Sequence, residues 1–174
     1  NEEVNSIADL AGKDIYMPGQ GATPEYVLRA LLSKNNVEGN LNFVTEPAEA
    51  VAHLQVNPND VAILPEPFAT ATLIQNSNLQ RKISITEEWK KSFDGGELPT
   101  AVTIVRKSYA KEHPEIVKAF LDEEKESIAA VEKDVQKTAE LVVKQRILEK
   151  EALAAKAIPN CNIRFIDGEE MKKA

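Results

Sequence analysis

The fold is decided by one stretch in the first half of the chain, Asn59-Asp60-Val61-Ala62-Ile63-Leu64-Pro65-Glu66-Pro67-Phe68. Its apolar run, residues 61–64, has no polar alternation, and the prolines that follow halt it. Strands with this pattern belong to parallel sheets that helices cover on both faces. The stretch therefore predicts a buried parallel strand followed by a helix that begins near Phe68.

Strands and helices alternate on either side of this stretch. Upstream, Pro18-Gly19-Gln20-Gly21 closes a strand, and Thr23 is predicted as a helix N-cap because Pro24 suits the first helical position. The alternation continues to about residue 90 and favours an α/β fold with a parallel-rich sheet flanked by helices. The predicted strands are 14–17, 41–44, 61–64 and 83–85, and the predicted helices are 23–34, 46–54 and 68–75.

The character of the chain changes after Asp94-Gly95-Gly96-Glu97-Leu98-Pro99, whose paired glycines and proline predict a hinge. Residues 100–106 are β-rich and predict a strand. Three helices are then predicted, a long one that starts at Pro114 and two shorter ones over 135–144 and 150–157. The chain thus combines an α/β part, residues 1–98, with a mostly helical part, residues 99–174.

Composition excludes several classes of protein. The 174 residues carry a formal net charge of −7 without a basic stripe, which disfavours nucleic acid as a partner. The apolar runs are far shorter than the roughly 20 residues of a membrane helix. With one cysteine and two histidines, no disulfide, metal site or resident cofactor is expected. Cys161 is predicted as a buried small residue, and His53 and His113 form no recognisable catalytic constellation.

The first candidate for ligand binding is the loop Gly19-Gln20-Gly21-Ala22-Thr23. It lies between a strand and a helix N-terminus, where unpaired N–H groups and the helix dipole suit a carboxylate, sulfonate or phosphate. In open α/β sheets, ligands bind beyond the carboxyl ends of the strands, where this loop is expected. The alternative is a glycine turn that serves only to start the helix.

Glu66 is the second candidate, because Pro65 and Pro67 fix the backbone around it at the carboxyl end of a predicted strand. Its carboxylate would project into the same crevice as the loop, and Phe68 would provide an apolar or stacking wall. The alternative is that Glu66 caps the following helix, where a negative charge is favourable. The two roles are compatible.

Three segments resemble those of one family, in that family's order and spacing. They are residues 10–23, which open with Leu10-Ala11-Gly12-Lys13, residues 59–68, and residues 105–115, which end with Glu112-His113-Pro114-Glu115. All three are similar to type 2 periplasmic solute-binding proteins of ABC importers. The similarity is greatest to the NMT1/THI5-like branch, which contains sulfonate, nitrate and thiamine-precursor binders.

The resemblance implies a bilobal protein that captures a small, polar or anionic solute in its interlobe cleft and presents it to a membrane permease. The helix-start loop would hold the anionic end of the solute, and the acidic-proline motif would line the cleft. The ligand-binding residues carried over in this way are Gln20, Gly21, Ala22, Thr23, Glu66, Pro67 and Phe68. No covalent chemistry is implied, so the protein is expected not to be an enzyme.

The resemblance also implies an extracytoplasmic location, in the periplasm or as a membrane-anchored lipoprotein, although the acidic opening Asn1-Glu2-Glu3 is not a signal peptide. In the family a whole lobe precedes the first matched segment, whereas here only residues 1–9 do. Residues 1–98 would form the second lobe, and residues 99–174 an incomplete first lobe. We therefore expect the later helices to expose apolar faces through which the chain self-associates.

Two alternatives from other classes remain open. The ligand-sensing domain of a transcriptional regulator has similar lobes but normally follows a basic helix-turn-helix, which this sequence does not contain. An enzyme of the pyrimidine-synthase type shares the fold but needs a histidine and a cysteine-rich stretch. Here the sequence offers Cys161 alone.

Overall fold

The computed structural model describes residues 4–57 and 59–173. The acidic opening, Asn1-Glu2-Glu3, lies outside the described residues. The described chain divides into two compact units between Thr100 and Ala101.

The first unit is built on a three-stranded parallel sheet, which confirms the α/β class. Its strands are β1 (Asp14–Met17), β2 (Asn40–Phe43) and β3 (Val61–Ala62), in the order β2-β1-β3. All three run in one direction, so their carboxyl ends meet at one edge of the sheet. This edge, formed by residues 18–22, 44–46 and 63–67, is called the carboxyl edge below.

Four helices belong to the first unit: α1 (Thr23–Lys34), α2 (Pro47–Val56), α3 (Phe68–Gln75) and α4 (Ile85–Ser92). The first three each begin at the carboxyl edge, a few residues after a strand. A short 3-10 helix, Ile7–Leu10, precedes β1, and the side chain of Asp9 accepts hydrogen bonds from the Asn5 and Ser6 N–H groups, both at 2.9 Å.

Helices cover both faces of the sheet. Ile15 and Met17 on β1 are fully buried in one apolar cluster with Leu28 and Leu31 of α1. Successive strand residues point to opposite faces, and Tyr16 accordingly contacts α2 on the other side. The central strand β1 therefore has a helix on each face, whereas residues 61–64, predicted as a buried strand, are only partly buried.

Most of the predicted elements of the first unit are confirmed, with some changes at their ends. Ala22 is the N-cap of α1, so Thr23 is its first residue and not the predicted cap. Strand β3 covers only half of the predicted run, although the Ile63 N–H still donates to the Tyr16 carbonyl at 2.9 Å.

The prediction of a strand over 83–85 was wrong. Ile85 instead begins α4, because Ser84 is its N-cap and accepts from the Glu87 N–H at 3.4 Å. Two glutamates in the first turn favour a helix there. Trp89 on this helix packs against the apolar cluster, and its ring lies 4.2 Å from that of Phe93.

All regular elements in the described residues of the second unit are helices, and none is a strand. Residues 101–106 carry apolar side chains but pair with no other strand of the described chain, so the strand predicted there was wrong. A strand needs a partner, and local β propensity does not supply one. The helices are α5 (Lys107–Glu112), α6 (Pro114–Lys133), α7 (Val135–Lys144), α8 (Glu151–Ala157) and α9 (Gly168–Lys173), with a 3-10 helix, Ile158–Asn160.

Small side chains form the interior of the second unit. The buried hydrophobic residues described there are three alanines, Ala139 on α7 and Ala154 and Ala157 on α8. Larger apolar side chains remain on its surface, including Ile104, Ile116 and Phe120. The unit therefore buries little apolar area of its own.

Candidate functional site

The loop between β1 and α1 follows a path that requires its two glycines. Gly19 and Gly21 have φ angles of +90° and +74°, in the left-handed region that other residues rarely adopt. A Cβ atom on Gly19 would also lie 3.3 Å from Cγ of Pro24. The loop leaves Gln20, Gly21, Ala22 and Thr23 exposed to solvent.

Two N–H donors of this loop are already bonded within the chain, which differs from the predicted set of unpaired groups. The Gly21 N–H donates to Oε2 of Glu25 at 2.8 Å, and the Ala22 N–H donates to the Gly19 carbonyl at 3.0 Å. Oε1 of Glu25 accepts from Nε of Arg29 at 2.7 Å. The Gly21 N–H and, second, the Arg29 side chain lower the pKa of Glu25, so this carboxylate stays charged at neutral pH.

The loop between β3 and α3 holds Glu66 in a network of its own. Oε2 of Glu66 accepts from the Thr70 N–H at 3.2 Å, and Oε1 pairs with the Arg81 guanidinium. Arg81 also lies 3.4 Å from Oγ1 of Thr70. The Glu66–Pro67 peptide bond is cis. Glu66 therefore caps α3, which is the alternative role considered for it, and its side chain is 11% exposed.

The topology brings both candidate segments to the carboxyl edge. Strands β1 and β3 are parallel neighbours, with Tyr16 opposite Ala62, so the loops that follow them leave the sheet side by side. The loop after β3 also carries Pro67, which is partly buried, and Phe68, which is 50% exposed and opens α3. Five of the seven predicted ligand-binding residues thus lie at the carboxyl edge, and the other two, Thr23 and Phe68, are the first residues of helices that begin there.

Helix α2, which also begins at the carboxyl edge, repeats the hydrogen-bond arrangement of α1. Oε2 of Glu49, in the first turn of α2, accepts from the Thr45 N–H at 3.2 Å. Glu49 and Glu25 are each four residues after the N–H that they bind. Neither glutamate was among the predicted site residues, although a glutamate in the first turn after proline is a recognisable helix-start signal.

Behind the carboxyl edge, Tyr16 is set among acidic groups. Its ring stacks on that of His53 of α2. Burial, followed by the charges of Asp60 and Asp14, raises the pKa of Tyr16. Asp60 is itself buried and accepts from Nδ2 of Asn57 at 2.7 Å. The phenol is therefore a neutral group at physiological pH.

Two further sequence candidates belong to the second unit. His113 is the N-cap of α6, in keeping with its predicted place at a helix start. Cys161 is exposed, so its prediction as a buried residue was wrong, and its Sγ donates to the Ala157 carbonyl at 3.4 Å. The 3-10 helix over 158–160 ends just before it, which leaves the thiol at the surface.

Neither a metal cluster nor a membrane span is found in the described part of the chain. Its His, Cys, Asp and Glu side chains form no group of three or more that could hold a metal ion. None of its helices combines the length and the apolar character needed to cross a bilayer. In the second unit, a hollow of about 330 Å³ is lined partly by Val131, Val135 and Ile158, and none of the predicted ligand-binding residues belongs to it.

Comparison with known protein families gives a match over most of the chain. The family described as NMT1/THI5 like matches residues 1–137. The chain belongs to this family. The resemblance based on residues 10–23, 59–68 and 105–115 is thereby confirmed. A search of curated proteins found no match to this NMT1/THI5-like chain.

Two solved structures share the fold of this NMT1/THI5-like chain. The periplasmic aliphatic sulphonate binding protein SsuA from Escherichia coli matches with a TM-score of 0.72 and 17% identity, over 98% of this chain and 56% of that one. An ABC transporter from Parabacteroides distasonis matches with a TM-score of 0.69 and 22% identity, over 92% of this chain and 55% of that one. The chain thus spans a little over half the length of either structure.

Proposed function

We propose that the chain is part of the solute-binding component of an ABC importer and holds a small polar molecule at the carboxyl edge, without covalent chemistry. The observation that carries this proposal is the meeting of the β1–α1 and β3–α3 loops on neighbouring parallel strands. In open α/β sheets this is the place where ligands bind. Membership of the NMT1/THI5-like family and two neighbours described as transport proteins support it.

The seven predicted residues have different roles in this proposal. Gln20, Ala22 and Thr23 offer exposed polar and backbone groups, and Gly21 keeps the loop open because a side chain is absent. The ring of Phe68 offers a flat apolar wall. Glu66 and Pro67 are partly buried and shape the loop.

The two compact units of the chain support the proposal that it contains parts of two lobes. Residues 1–98 would form one lobe of the binding protein, and residues 99–174 would contribute part of the other, with residues 95–99 as the hinge. The second unit begins at Ala101, two residues beyond this segment. Gly95 has a φ angle of +81°, and its substitution by a residue with a side chain would strain the segment.

The proposed partners and location follow from the proposed role. The loaded protein would deliver its solute to a membrane permease, outside the cytoplasm, either in the periplasm or tethered as a lipoprotein. The solved neighbour from Escherichia coli is described as periplasmic, which supports this location. A signal peptide with a lipobox cysteine in the reading frame upstream of Asn1 would be an independent test.

The exposed apolar side chains of the second unit support self-association. Ile116 and Phe120 on α6 are 49% and 56% exposed, and Ile104 is 87% exposed. Because only alanines are fully buried among the described apolar residues of this unit, its larger apolar side chains stay at the surface. A second copy of the chain would cover that surface. We propose that the chain forms dimers or larger assemblies through α6.

The two alternative functions gain no support from the structure of the described residues. Both solved neighbours are described as transport or binding proteins, which favours transport over a regulator's sensing domain. An enzymatic role would need reactive side chains at the carboxyl edge, and residues 18–22, 44–46 and 63–67 that form this edge include no histidine or cysteine. The non-enzymatic role is therefore part of the proposal.

A thermal-shift screen of the chain against amino acids, pyrimidines, sulfonates and small anions tests the proposed function. A bound solute raises the melting temperature in proportion to its saturation. The shift should persist in Glu87→Ala, which removes an exposed carboxylate from α4, and should be lost or strongly reduced in Glu66→Ala. A solute that shifts both variants equally would remove Glu66 from the site, and a screen without a single shift would contradict the function.

A further inference from the structure

At every helix that begins at the carboxyl edge, a carboxylate of the chain itself accepts a backbone N–H, either in the first turn or just before the helix. In α1 the Gly21 N–H donates to Glu25, in α2 the Thr45 N–H donates to Glu49, and in α3 the Thr70 N–H donates to Glu66. The donor–acceptor distances are 2.8, 3.2 and 3.2 Å. The same edge is therefore lined by three internal anions, one at each helix start.

These carboxylates occupy the position that an anionic solute would need. A helix N-terminus attracts an anion through its free N–H groups and the positive end of its dipole. Here Glu25 and Glu49 each accept the N–H of the residue that precedes the N-cap, and Glu66 accepts an N–H in the first turn of α3. Each carboxylate also adds a negative charge beside its helix start. A second anion placed within hydrogen-bond reach of the same N–H would be repelled, because like charges a few ångströms apart interact strongly near a protein surface.

The two carboxylates next to the predicted loops are held firmly in place. The side chains of Glu25 and Glu66 are 12% and 11% exposed. Each is also paired with a guanidinium, Glu25 with Arg29 and Glu66 with Arg81. To admit an anion at Gly21, the protein would have to break a hydrogen bond and an ion pair together.

The arginines do not make the edge cationic. Each pair is neutral as a whole, because one guanidinium balances one carboxylate. Glu49 and Glu46, the N-cap residue of α2, have no ion pair with any cation in the described part of the chain, so the three helix starts keep a net negative charge. The electrostatic potential at these helix starts does not attract an anionic solute. It favours a cation or a neutral hydrogen-bond donor.

We infer that the solute faces the carboxyl edge with uncharged or cationic groups, and that Glu25 excludes anions from the β1–α1 loop. This inference rests on the proposed function. It also revises the sequence-based expectation that this loop holds the anionic end of the solute. Selectivity of this kind comes from a repulsive element built into the site.

The test uses the amide signal of Gly21 in two-dimensional nitrogen–proton NMR spectra, with methanesulfonate as the anionic probe and methanesulfonamide as its uncharged counterpart. In the wild-type chain, methanesulfonate should leave the Gly21 signal unchanged. In Glu25→Ala the freed N–H should respond to methanesulfonate, with an apparent affinity at least about tenfold higher than in wild type. Glu25→Gln keeps an acceptor without the charge and covers the case in which the alanine variant folds poorly.

Glu87→Gln is the matched control, because it removes a carboxylate from the first turn of α4, which does not start at the carboxyl edge. It should behave like wild type. The inference is overturned if methanesulfonate shifts Gly21 equally in wild type and variants, or if neither Glu25 variant responds to it. In either case the thermal-shift screen still tests the proposed function separately. A sulfonate that stabilises the chain and also shifts the Gly21 signal would contradict this inference but not the proposed function.

Discussion

The rings of Tyr16 and His53 are stacked, with their centroids 3.9 Å apart and their planes at 12°. Tyr16 belongs to the central strand β1 and His53 to α2, so the contact joins the sheet to the helix on its second face. This is the face opposite the apolar cluster. The stack therefore fixes the position of α2, whose first turn carries Glu49.

The stack predicts an energetic coupling between the two rings. Tyr16→Leu and His53→Ala should each lower the urea midpoint of unfolding, and the double variant should lose less than the two single losses added together. Tyr26→Leu serves as the control, because Tyr26 is 63% exposed. Strict additivity of the Tyr16 and His53 effects would show that the rings do not interact.

The raised pKa of Tyr16 predicts a loss of stability in alkaline solution. Burial and the charges of Asp60 and Asp14 favour the neutral phenol in the folded chain. The corresponding stabilisation is complete below the unfolded value of about 10 and disappears as the pH rises through the folded pKa. Tyrosinate absorbance should show a late-titrating phenol that is absent from Tyr16→Phe, and that variant should lose less stability above this pH.

Glu66→Ala should destabilise the chain even without a solute. The variant loses the acceptor for the Thr70 N–H and leaves Arg81 without its carboxylate. Loss of a helix cap costs about 1 kcal/mol, which urea unfolding resolves. Glu66→Gln retains an acceptor and should lose less than Glu66→Ala. Equal stabilities of wild type and Glu66→Ala would mean that the cap contributes nothing.

Leu31→Ala should test the core of the first unit. Leu31 on α1 is fully buried in the apolar cluster, and truncation of a buried leucine costs about 2–5 kcal/mol. Leu141→Ala on α7 is the matched control, because that side chain is 48% exposed and should cost well under half as much. The free energies of unfolding from urea titrations would be compared, and equal losses would contradict the assignment of the core.

Phe120→Glu should weaken the proposed self-association. The substitution places a charge on the exposed apolar face of α6, where a second copy would have to desolvate it. Light scattering at high concentration should give a lower mass for this variant than for wild type. Ala129→Glu adds the same charge to an exposed position on the opposite face of α6 and should change the mass much less. A wild-type chain that remains monomeric at high concentration would contradict self-association itself.

Local signals were sufficient to predict most of the first unit. Pro24 and Pro47 mark the starts of α1 and α2, and the apolar run at Val61 marks β3. The predictions of strands over residues 83–85 and 100–106 were wrong for different reasons. At Ile85 a serine cap and two glutamates favour a helix, whereas residues 101–106 have no partner strand in the described chain, and pairing depends on distant parts of the sequence.

The site was predictable only in part. Parallel topology alone places the loops at Gly21 and Glu66 on one edge, and the structure has both there. The Glu25 cap had a local sequence signal, since a first-turn glutamate can reach back four residues to a free N–H. Arg81, by contrast, reaches Glu66 across fifteen residues, and no spacing rule connects them. Arg81 and Glu66 meet only in the folded chain, so their ion pair could not be predicted from the sequence.

Trp89 and Cys161 are the single tryptophan and the single cysteine of the chain. Trp89 packs into the first unit beside Phe93, and Cys161 is exposed in the second unit. The chain therefore offers two reporter positions without any substitution, indole emission at Trp89 for one unit and a dye coupled to the Cys161 thiol for the other. Thermal unfolding of the two units can then be recorded at separate wavelengths in a single sample, with no substitution in the sequence.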